Sequence, residues 1–242
     1  MLPIVMVVVA GAFAAGFFSG LTGFGTGMIA FGIWLHVVPA KTAAVLVIWC
    51  SIVGQIVSML MLRKAMDVRR SLPYVLPGLL FIPVGTWLLV QFDPSIFKIT
   101  IGFFLVFFTS AMLLAGKVRF EGLRFLDPVA GAIGGVMGGF AGLFGAPVTL
   151  WCTLRGWGKD QQRSVYQPFN FVMGVAAFIG ATLAGLVDLK ILLLCFLTLP
   201  ATIAAVTAGV KLYGRMNNEA FRILVLCFLF LSGFSLIVPA LF

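Results

Sequence analysis

Long apolar stretches dominate this chain and restrict it to membrane folds. Its residues are 62% hydrophobic and 10% charged, and the mean hydropathy is +1.18. A helix needs about 17–25 apolar residues to cross a bilayer, whereas a membrane barrel strand alternates apolar and polar residues, a pattern absent here. The sequence therefore predicts an all-α polytopic membrane protein, with spans at about residues 43–62, 72–91, 97–115, 165–187, 190–210 and 220–241.

Two glycine-rich segments interrupt the apolar sequence, one in each half of the chain. They read SGLTGFGTG at residues 19–27 and GGFAGLFGAP at residues 138–147. Irregular backbone persists inside a membrane only where protein or a water-filled cavity satisfies it, and paired helix breaks mark the binding sites of many secondary transporters. We expect broken-helix hairpins at residues 3–37 and 128–154. Whether the first hairpin crosses the membrane fully is left open.

The two halves of the sequence align with each other. VAGAF at residues 9–13 matches VAGAI at 129–133, the glycine segments follow at similar spacing, and Asp67 aligns with Asp188 in a turn. We expect two repeats, residues 1–116 and 128–242, joined by a connector at 117–127. Each repeat would contain one hairpin followed by three spans.

The positions of Lys and Arg predict the orientation. If each glycine stretch forms one plain span, the 16 basic residues divide equally between the two sides. If each stretch enters and returns at the same face, only Lys41, Lys98 and Lys190 lie on one side and the other 13 lie opposite. The positive-inside rule favours the second arrangement. It predicts inverted repeats, with the main basic loops and the connector in the cytoplasm and both termini outside.

The helix that begins after each break offers free backbone N–H groups and a partial positive charge, which can hold an anion without a buried cation. We predict that a small anionic substrate binds between the two breaks. Polar side chains inside the spans, Gln167 and Asn170 on one helix face and Ser51 and Gln55 at similar depth, require a partner or a cavity. The candidate substrate-binding residues are Ser19, Gly20, Thr22, Gly23, Gly25, Thr26, Gly27, Gly142, Gly145, Ala146, Thr149, Gln167 and Asn170.

Each of these features also has a structural interpretation. Glycines allow close packing of membrane helices, and polar residues within spans form hydrogen bonds between helices. Arg155, Lys159 and Arg163 flank the second hairpin, where they are predicted to form an anion-attracting rim or simply to set the topology.

Several function classes are disfavoured by the composition. The net charge is +9, but the basic residues are spread over short connectors, which argues against nucleic-acid binding. The four cysteines lie in apolar segments without CxxC spacing, and His36 is the only histidine, so we expect no metal, no cofactor and no enzyme activity. No span carries a central carboxylate, which disfavours a proton relay of the usual kind.

With the connector GKDQQRSVYQPFNF at residues 158–171, these features resemble the TauE/SafE sulfite exporter family, also called the 4-toluene sulfonate uptake permeases. The resemblance covers nearly the whole chain and is most specific at residues 16–27, 135–147 and 159–163. It implies a permease or exporter of sulfite, sulfonates or related organic anions in a bacterial or archaeal cytoplasmic membrane. An anion channel and a permease for a non-sulfur carboxylate are the alternatives, and formation of a homo-oligomer is left open.

Overall fold

A computed structural model of the chain describes residues 2–62, 66–115, 120 and 122–214. The predicted span at residues 220–241 lies outside this set. The described residues form nine α-helices and one short 3-10 helix (Arg124–Leu126). The α-helices are α1 (Leu2–Thr22), α2 (Thr26–Trp34), α3 (Ala40–Leu62), α4 (Val68–Gln91), α5 (Pro94–Ala115), α6 (Asp127–Ala141), α7 (Gly145–Leu154), α8 (Lys159–Leu183) and α9 (Leu189–Tyr213).

The helices have the lengths that a membrane requires. By length and composition, α1, α3, α4, α5 and α9 can each cross a bilayer. The described residues contain no strand, so the predicted all-helical membrane fold is confirmed at this level. α8 is as long as α9, but its first turns carry Lys159, Asp160 and Arg163. The two hairpins differ, because α1 is a continuous membrane-length helix whereas α6 has 15 residues.

Both helix breaks are shorter than the glycine-rich segments. α1 continues to Thr22, so the first break comprises only residues 23–25, and α6 continues to Ala141, so the second comprises residues 142–144. The glycines that remain helical, Gly20 in α1 with Gly138 and Gly139 in α6, lie against other parts of the protein. Tertiary contact therefore extends the helices through sequence that has low intrinsic helix propensity.

Glycines bring two pairs of helix backbones into direct contact. α1 packs along α9, and α4 packs along α6, so each pair joins a helix of one half to a helix of the other. A Cβ atom added to Gly20 would lie 2.3 Å from the carbonyl oxygen of Val206, and one added to Gly135 would lie 2.1 Å from that of Gly78. Only glycine fits at such separations, as in other closely packed membrane helices.

Equivalent aspartates begin α4 and α9. Asp67 Oδ1 accepts a hydrogen bond from the Arg70 backbone N–H at 3.0 Å, and Asp188 Oδ1 accepts one from the Ile191 backbone N–H at 2.7 Å. Each carboxylate thus satisfies a first-turn amide and complements the positive end of its helix. The two aspartates that the sequence aligns have the same capping role.

Candidate functional site

Three glycines at the breaks adopt left-handed backbone conformations. Gly23 and Gly25 have φ of +80° and +83°, and Gly142 has φ of +67°. These conformations are costly for residues with a Cβ atom. They let the chain leave one helix and begin the next within three residues.

The first turns of α2 and α7 supply backbone N–H groups at the breaks. N–H groups in the first turn of a helix have no partner within that helix. Here Met28 N–H donates to the Gly25 carbonyl oxygen and Ala146 N–H to that of Leu143, so the N–H groups offered to a ligand are those at the first positions of each helix. The residues preceding the two helices, Gly25 and Phe144, provide no side-chain hydrogen bond to cap them. Pro147, the third residue of α7, has no N–H to leave unpaired. Both breaks therefore present uncapped, partially positive helix ends.

The two breaks meet at one small buried cavity. Its volume is about 10 Å³, enough for about one water. The cavity is lined by Phe24, Gly25, Thr26, Met28, Ser51, Gln55, Gly142, Leu143, Phe144, Gly145, Ala146 and Asn170. None of these side chains carries a charge, so the local electrostatics are set by helix ends and neutral polar groups.

Direct contacts join one break to the other. A Cβ atom added to Gly145 would lie 2.9 Å from Phe24 Cβ, and one added to Gly27 would lie 2.8 Å from Leu143 Cδ2. The same added atom on Gly145 would lie 2.9 Å from both Nδ2 and Oδ1 of Asn170. The cavity is therefore closed on these sides by atoms in van der Waals contact.

Amide side chains from α3 and α8 converge on the first break. The Gly23 carbonyl oxygen accepts hydrogen bonds from Gln55 Nε2 at 3.0 Å and from Asn170 Nδ2 at 3.1 Å. These bonds leave Gln55 Oε1 and Asn170 Oδ1 buried without a hydrogen-bond partner among the described residues. A ligand in the cavity therefore meets amide oxygens as well as backbone N–H groups.

Other side chains of α8 bind the carbonyl end of α1. Arg163 donates from Nη2 to the Gly20 carbonyl oxygen at 2.9 Å and from Nη1 to that of Leu21 at 3.2 Å. Tyr166 donates its hydroxyl hydrogen to the Thr22 carbonyl oxygen. A cation and hydroxyl at the carbonyl end of a helix complement its partial negative charge. Arg163, which is 3% exposed, is thus part of the packed interior in this structure.

The cavity brings together some of the predicted ligands and excludes others. Gly25, Thr26, Gly142, Gly145, Ala146 and Asn170 line it. Ser19, Gly20, Thr22, Gly23, Gly27, Thr149 and Gln167 do not, although Gly23 contributes the carbonyl oxygen that orients Gln55 and Asn170. Thr22 Oγ1 bonds within its own segment, to the carbonyl oxygens of Phe18 and Phe24. The substrate-binding role of these residues stays a prediction.

Sequence reasoning did not place Ser51 and Gln55 among the ligands. Both are buried and line the cavity. The sequence feature that could have identified them is their position inside a predicted span, where an unpaired polar group is energetically unfavourable. That signal indicates a partner but does not identify it, because interhelical hydrogen bonds and ligands satisfy the same requirement.

A larger cavity lies beside the N-terminal part of α8, whereas Asn170 and the small cavity lie farther along the same helix. It has a volume of about 380 Å³ and is lined by Leu62, Met66, Asp160, Arg163, Ser164, Gln167 and Tyr213. Arg163 Nε and Gln167 Nε2 are buried donors that have no hydrogen-bond partner in the described residues. Arg163, Gln167 and Asn170 are spaced along one face of α8, so polar groups connect the neighbourhoods of the two cavities.

The three basic residues predicted to form a rim each contact an aromatic ring. The Arg163 guanidinium lies 4.3 Å from the Tyr213 ring centroid, and Lys159 Nζ lies 4.7 Å from the same centroid. The Arg155 guanidinium lies 4.6 Å from the Trp157 ring centroid. Their role in attracting anions stays a prediction, but all three already have structural contacts.

Arg155 also belongs to a buried network that fixes the second hairpin. Asp127 Oδ1 accepts hydrogen bonds from Tyr74 Oη at 2.8 Å, from Trp151 Nε1 at 2.6 Å and from Arg155 Nη1 at 3.0 Å. Arg155 Nη1 also lies 3.0 Å from Oδ2. The carboxylate thus joins the start of α6, the end of α7 and the second turn of the neighbouring helix α4.

We expect Arg155→Met to destabilise the protein strongly, because it leaves the Asp127 carboxylate buried without its ion-pair partner. Loss of one member of a buried pair typically costs about 3–5 kcal/mol. Thermal unfolding in detergent measures the loss, and Arg155→Met combined with Asp127→Asn should recover part of it. Equal midpoints for Arg155→Met and the wild type would contradict a stabilising ion pair.

Comparison with known proteins identifies the family. The family model described as sulfite exporter TauE/SafE matches residues 8–236, a range that includes both breaks and all thirteen predicted substrate-binding residues. No curated protein and no solved structure matches the chain significantly. The match covers nearly the whole sequence, and the chain contains several helices that are long and apolar enough to cross a membrane. The chain is a multi-pass membrane protein of the TauE/SafE sulfite exporter family.

Proposed function

We propose that this protein is a permease or exporter of a small anion, with sulfite, a sulfonate or a related sulfur-containing or organic anion as its substrate. Membership of a sulfite exporter family supports the class of cargo. The observation that carries the site is the meeting of two uncapped helix N-termini at one buried cavity. The substrate would bind there, between the breaks.

The electrostatics of the cavity favour an anion. Each helix N-terminus carries about half of a positive elementary charge, and backbone N–H groups point along the helix axis toward the break. None of the described residues that line the cavity is acidic, so no carboxylate among them opposes an anion. The glycine at position 145 exposes backbone, so a ligand can approach the N–H groups closely.

The helix packing supports two inverted repeats. α1 and α6 begin the two halves, and each packs along a helix of the opposite half, α9 and α4 respectively. The first-turn caps Asp67 and Asp188 also occupy matching positions. A pseudo-twofold relation of this kind accounts for both observations. In this proposal, the repeats are residues 1–116 and 128–242, the main basic loops are cytoplasmic and both termini are outside.

The size of the central cavity favours alternating access over a channel. A channel needs a continuous aqueous path, whereas this cavity has room for about one water. Sulfite is larger than water, so its binding requires the two hairpins to separate. The cavity beside Arg163 and Gln167 lies next to the ends of α3 and α9, on the side that the basic residues assign to the cytoplasm, and is the proposed route of access.

Sulfite counterflow in proteoliposomes tests this proposal. We expect vesicles preloaded with unlabelled sulfite to accumulate labelled sulfite transiently, because a transporter exchanges bound substrate across the membrane. The initial rate of this uptake should saturate as the external sulfite concentration rises. Protein-free vesicles provide the background. Flux that rises linearly without counterflow would favour an anion channel. Counterflow with short carboxylates but not with sulfite or sulfonates would favour the carboxylate alternative.

A further inference from the structure

Two unpaired acceptors in the central cavity restrict the ligand further. Gln55 and Asn170 are 2% and 0% exposed and both line the cavity. Within the part of the chain that the structure describes, Gln55 Oε1 and Asn170 Oδ1 have no hydrogen-bond partner. The Gly23 carbonyl oxygen fixes the orientation of both amides, since it only accepts and both nitrogens donate to it. The amide oxygens are therefore left for the occupant of the cavity.

The cavity thus offers donors and acceptors at the same time. The first turns of α2 and α7 supply N–H groups near Thr26 and Gly145, whereas Gln55 and Asn170 supply oxygens. A fully deprotonated oxyanion has only acceptors, so it would face both amide oxygens without a hydrogen. A buried acceptor left unpaired weakens binding by about tenfold or more.

The charge balance points in the same direction. The N-termini of α2 and α7 together supply about one positive elementary charge. The opposite, negative ends of α1 and α6 at the breaks are bound by Arg163 and Tyr166 and by the backbone N–H groups of Gly142 and Leu143, respectively. No described residue that lines the cavity has a charged side chain. A monovalent anion is therefore neutralised by the two helix ends, whereas a divalent anion would retain excess negative charge in a buried site.

We infer that the site binds a monovalent oxyanion that keeps one O–H group, which for the sulfur(IV) oxyanions is hydrogen sulfite rather than sulfite. This inference rests on the proposed function, since it assigns the protonation state of the same substrate. The ligand O–H donates to Gln55 Oε1 or Asn170 Oδ1. Its charged oxygens accept hydrogen bonds from the N–H groups of α2 and α7.

The protein itself contributes little to a pH dependence near neutrality. None of the described residues that line the cavity has a titratable side chain. The titratable described residues packed around it are Arg163 and Tyr166 of α8 and Cys50 of α3, whose Sγ lies 3.6 Å from Thr202 Oγ1. The affinity for an anion whose own charge does not change with pH measures any contribution of these groups. A pH dependence seen with sulfite but not with such an anion therefore reports the protonation of sulfite.

Binding of sulfite and methanesulfonate to the purified full-length protein tests the inference. Methanesulfonate is monovalent at every pH used and has no O–H group. We expect the affinity for total sulfite to fall about tenfold per pH unit above the pKa of hydrogen sulfite. Methanesulfonate should bind about tenfold more weakly than hydrogen sulfite, with no change with pH.

Gln55→Met provides the matched variant, because Asn170 still holds the Gly23 carbonyl oxygen while one acceptor is lost. We expect both anions to bind at least as tightly as to the wild type, because one unpaired acceptor is removed, and the preference for hydrogen sulfite to persist through Asn170 Oδ1. Equal, pH-independent affinity of the wild type for both anions would overturn the inference while leaving anion transport intact. The inference would also be overturned if anion binding at constant pH required sodium and showed no preference for hydrogen sulfite over methanesulfonate. That result would favour a cation bound at the amide oxygens. Binding of neither anion by the folded wild-type protein would overturn the proposed function itself.

Discussion

Gly145→Leu is expected to reduce sulfite counterflow to the background of protein-free vesicles while the protein still inserts and folds. An added Cβ at this position already lies 2.9 Å from the Asn170 amide and from Phe24 Cβ, and leucine adds three further carbons. The cavity has no spare volume to receive them. Gly145 is helical, so the substitution tests loss of space without the backbone strain that a Gly25 variant would add.

Gly158→Leu is the matched control for this prediction. Gly158 precedes α8 with φ of −69°, and an added Cβ meets no atom of the described residues within 4 Å. We expect this variant to transport as the wild type does. Size-exclusion profiles and unfolding midpoints establish that both variants are folded. Wild-type flux in a correctly folded Gly145→Leu protein would contradict a substrate site between the breaks.

Gly135→Ala is expected to cause a large loss of stability for the addition of a single methyl group. The added Cβ would lie 2.1 Å from the Gly78 carbonyl oxygen, a backbone atom that cannot rotate away. Its neighbours along α6, Gly131 and Gly139, would place a Cβ 2.2 Å from the Tyr74 and 2.3 Å from the Ile82 carbonyl oxygen. The α4–α6 pair must therefore separate along its length, at a cost of about 1–3 kcal/mol or more for overpacking.

Thermal unfolding in detergent measures this effect, and we expect the midpoint to fall by about 5–10 °C. Gly54→Ala is the control, because Gly54 is also a buried helical glycine. An added Cβ there lies 3.4 Å from Ser19 Oγ and 3.5 Å from Val206 Cγ2, which is ordinary contact. Alanine has the higher helix propensity, so Gly54→Ala should be neutral or slightly stabilising. Equal midpoints for the two variants would contradict backbone contact between α4 and α6.

Local sequence signals predicted the helical fold well. The apolar runs at residues 43–62, 72–91 and 97–115 lie within α3, α4 and α5, and the aspartates at the start of α4 and α9 cap those helices. These signals work because membrane crossing depends on the length and apolarity of a continuous segment. The family predicted from the motifs is confirmed. The repeats, their inversion and the sidedness of the loops stay proposals.

The extent of each break was predicted less well. Glycine density placed the breaks over residues 19–27 and 138–147, but only residues 23–25 and 142–144 leave the helices. Glycine has the same low helix propensity wherever it occurs. Whether Gly20 or Gly139 breaks a helix depends on the neighbouring backbone, which here lies close enough to require glycine within the helix.

The sequence by itself determined that this is a helical membrane protein of the sulfite exporter family, with one helix break in each half. Only the tertiary structure decided which groups meet at the breaks. Gln55 and Asn170 lie 32 and 147 residues from Gly23 in the sequence, yet both donate to its carbonyl oxygen, and Arg163 is buried against α1. Helix periodicity and apolar length are local properties of the chain. The convergence of side chains on one carbonyl group depends on how distant helices pack, which no local pattern encodes.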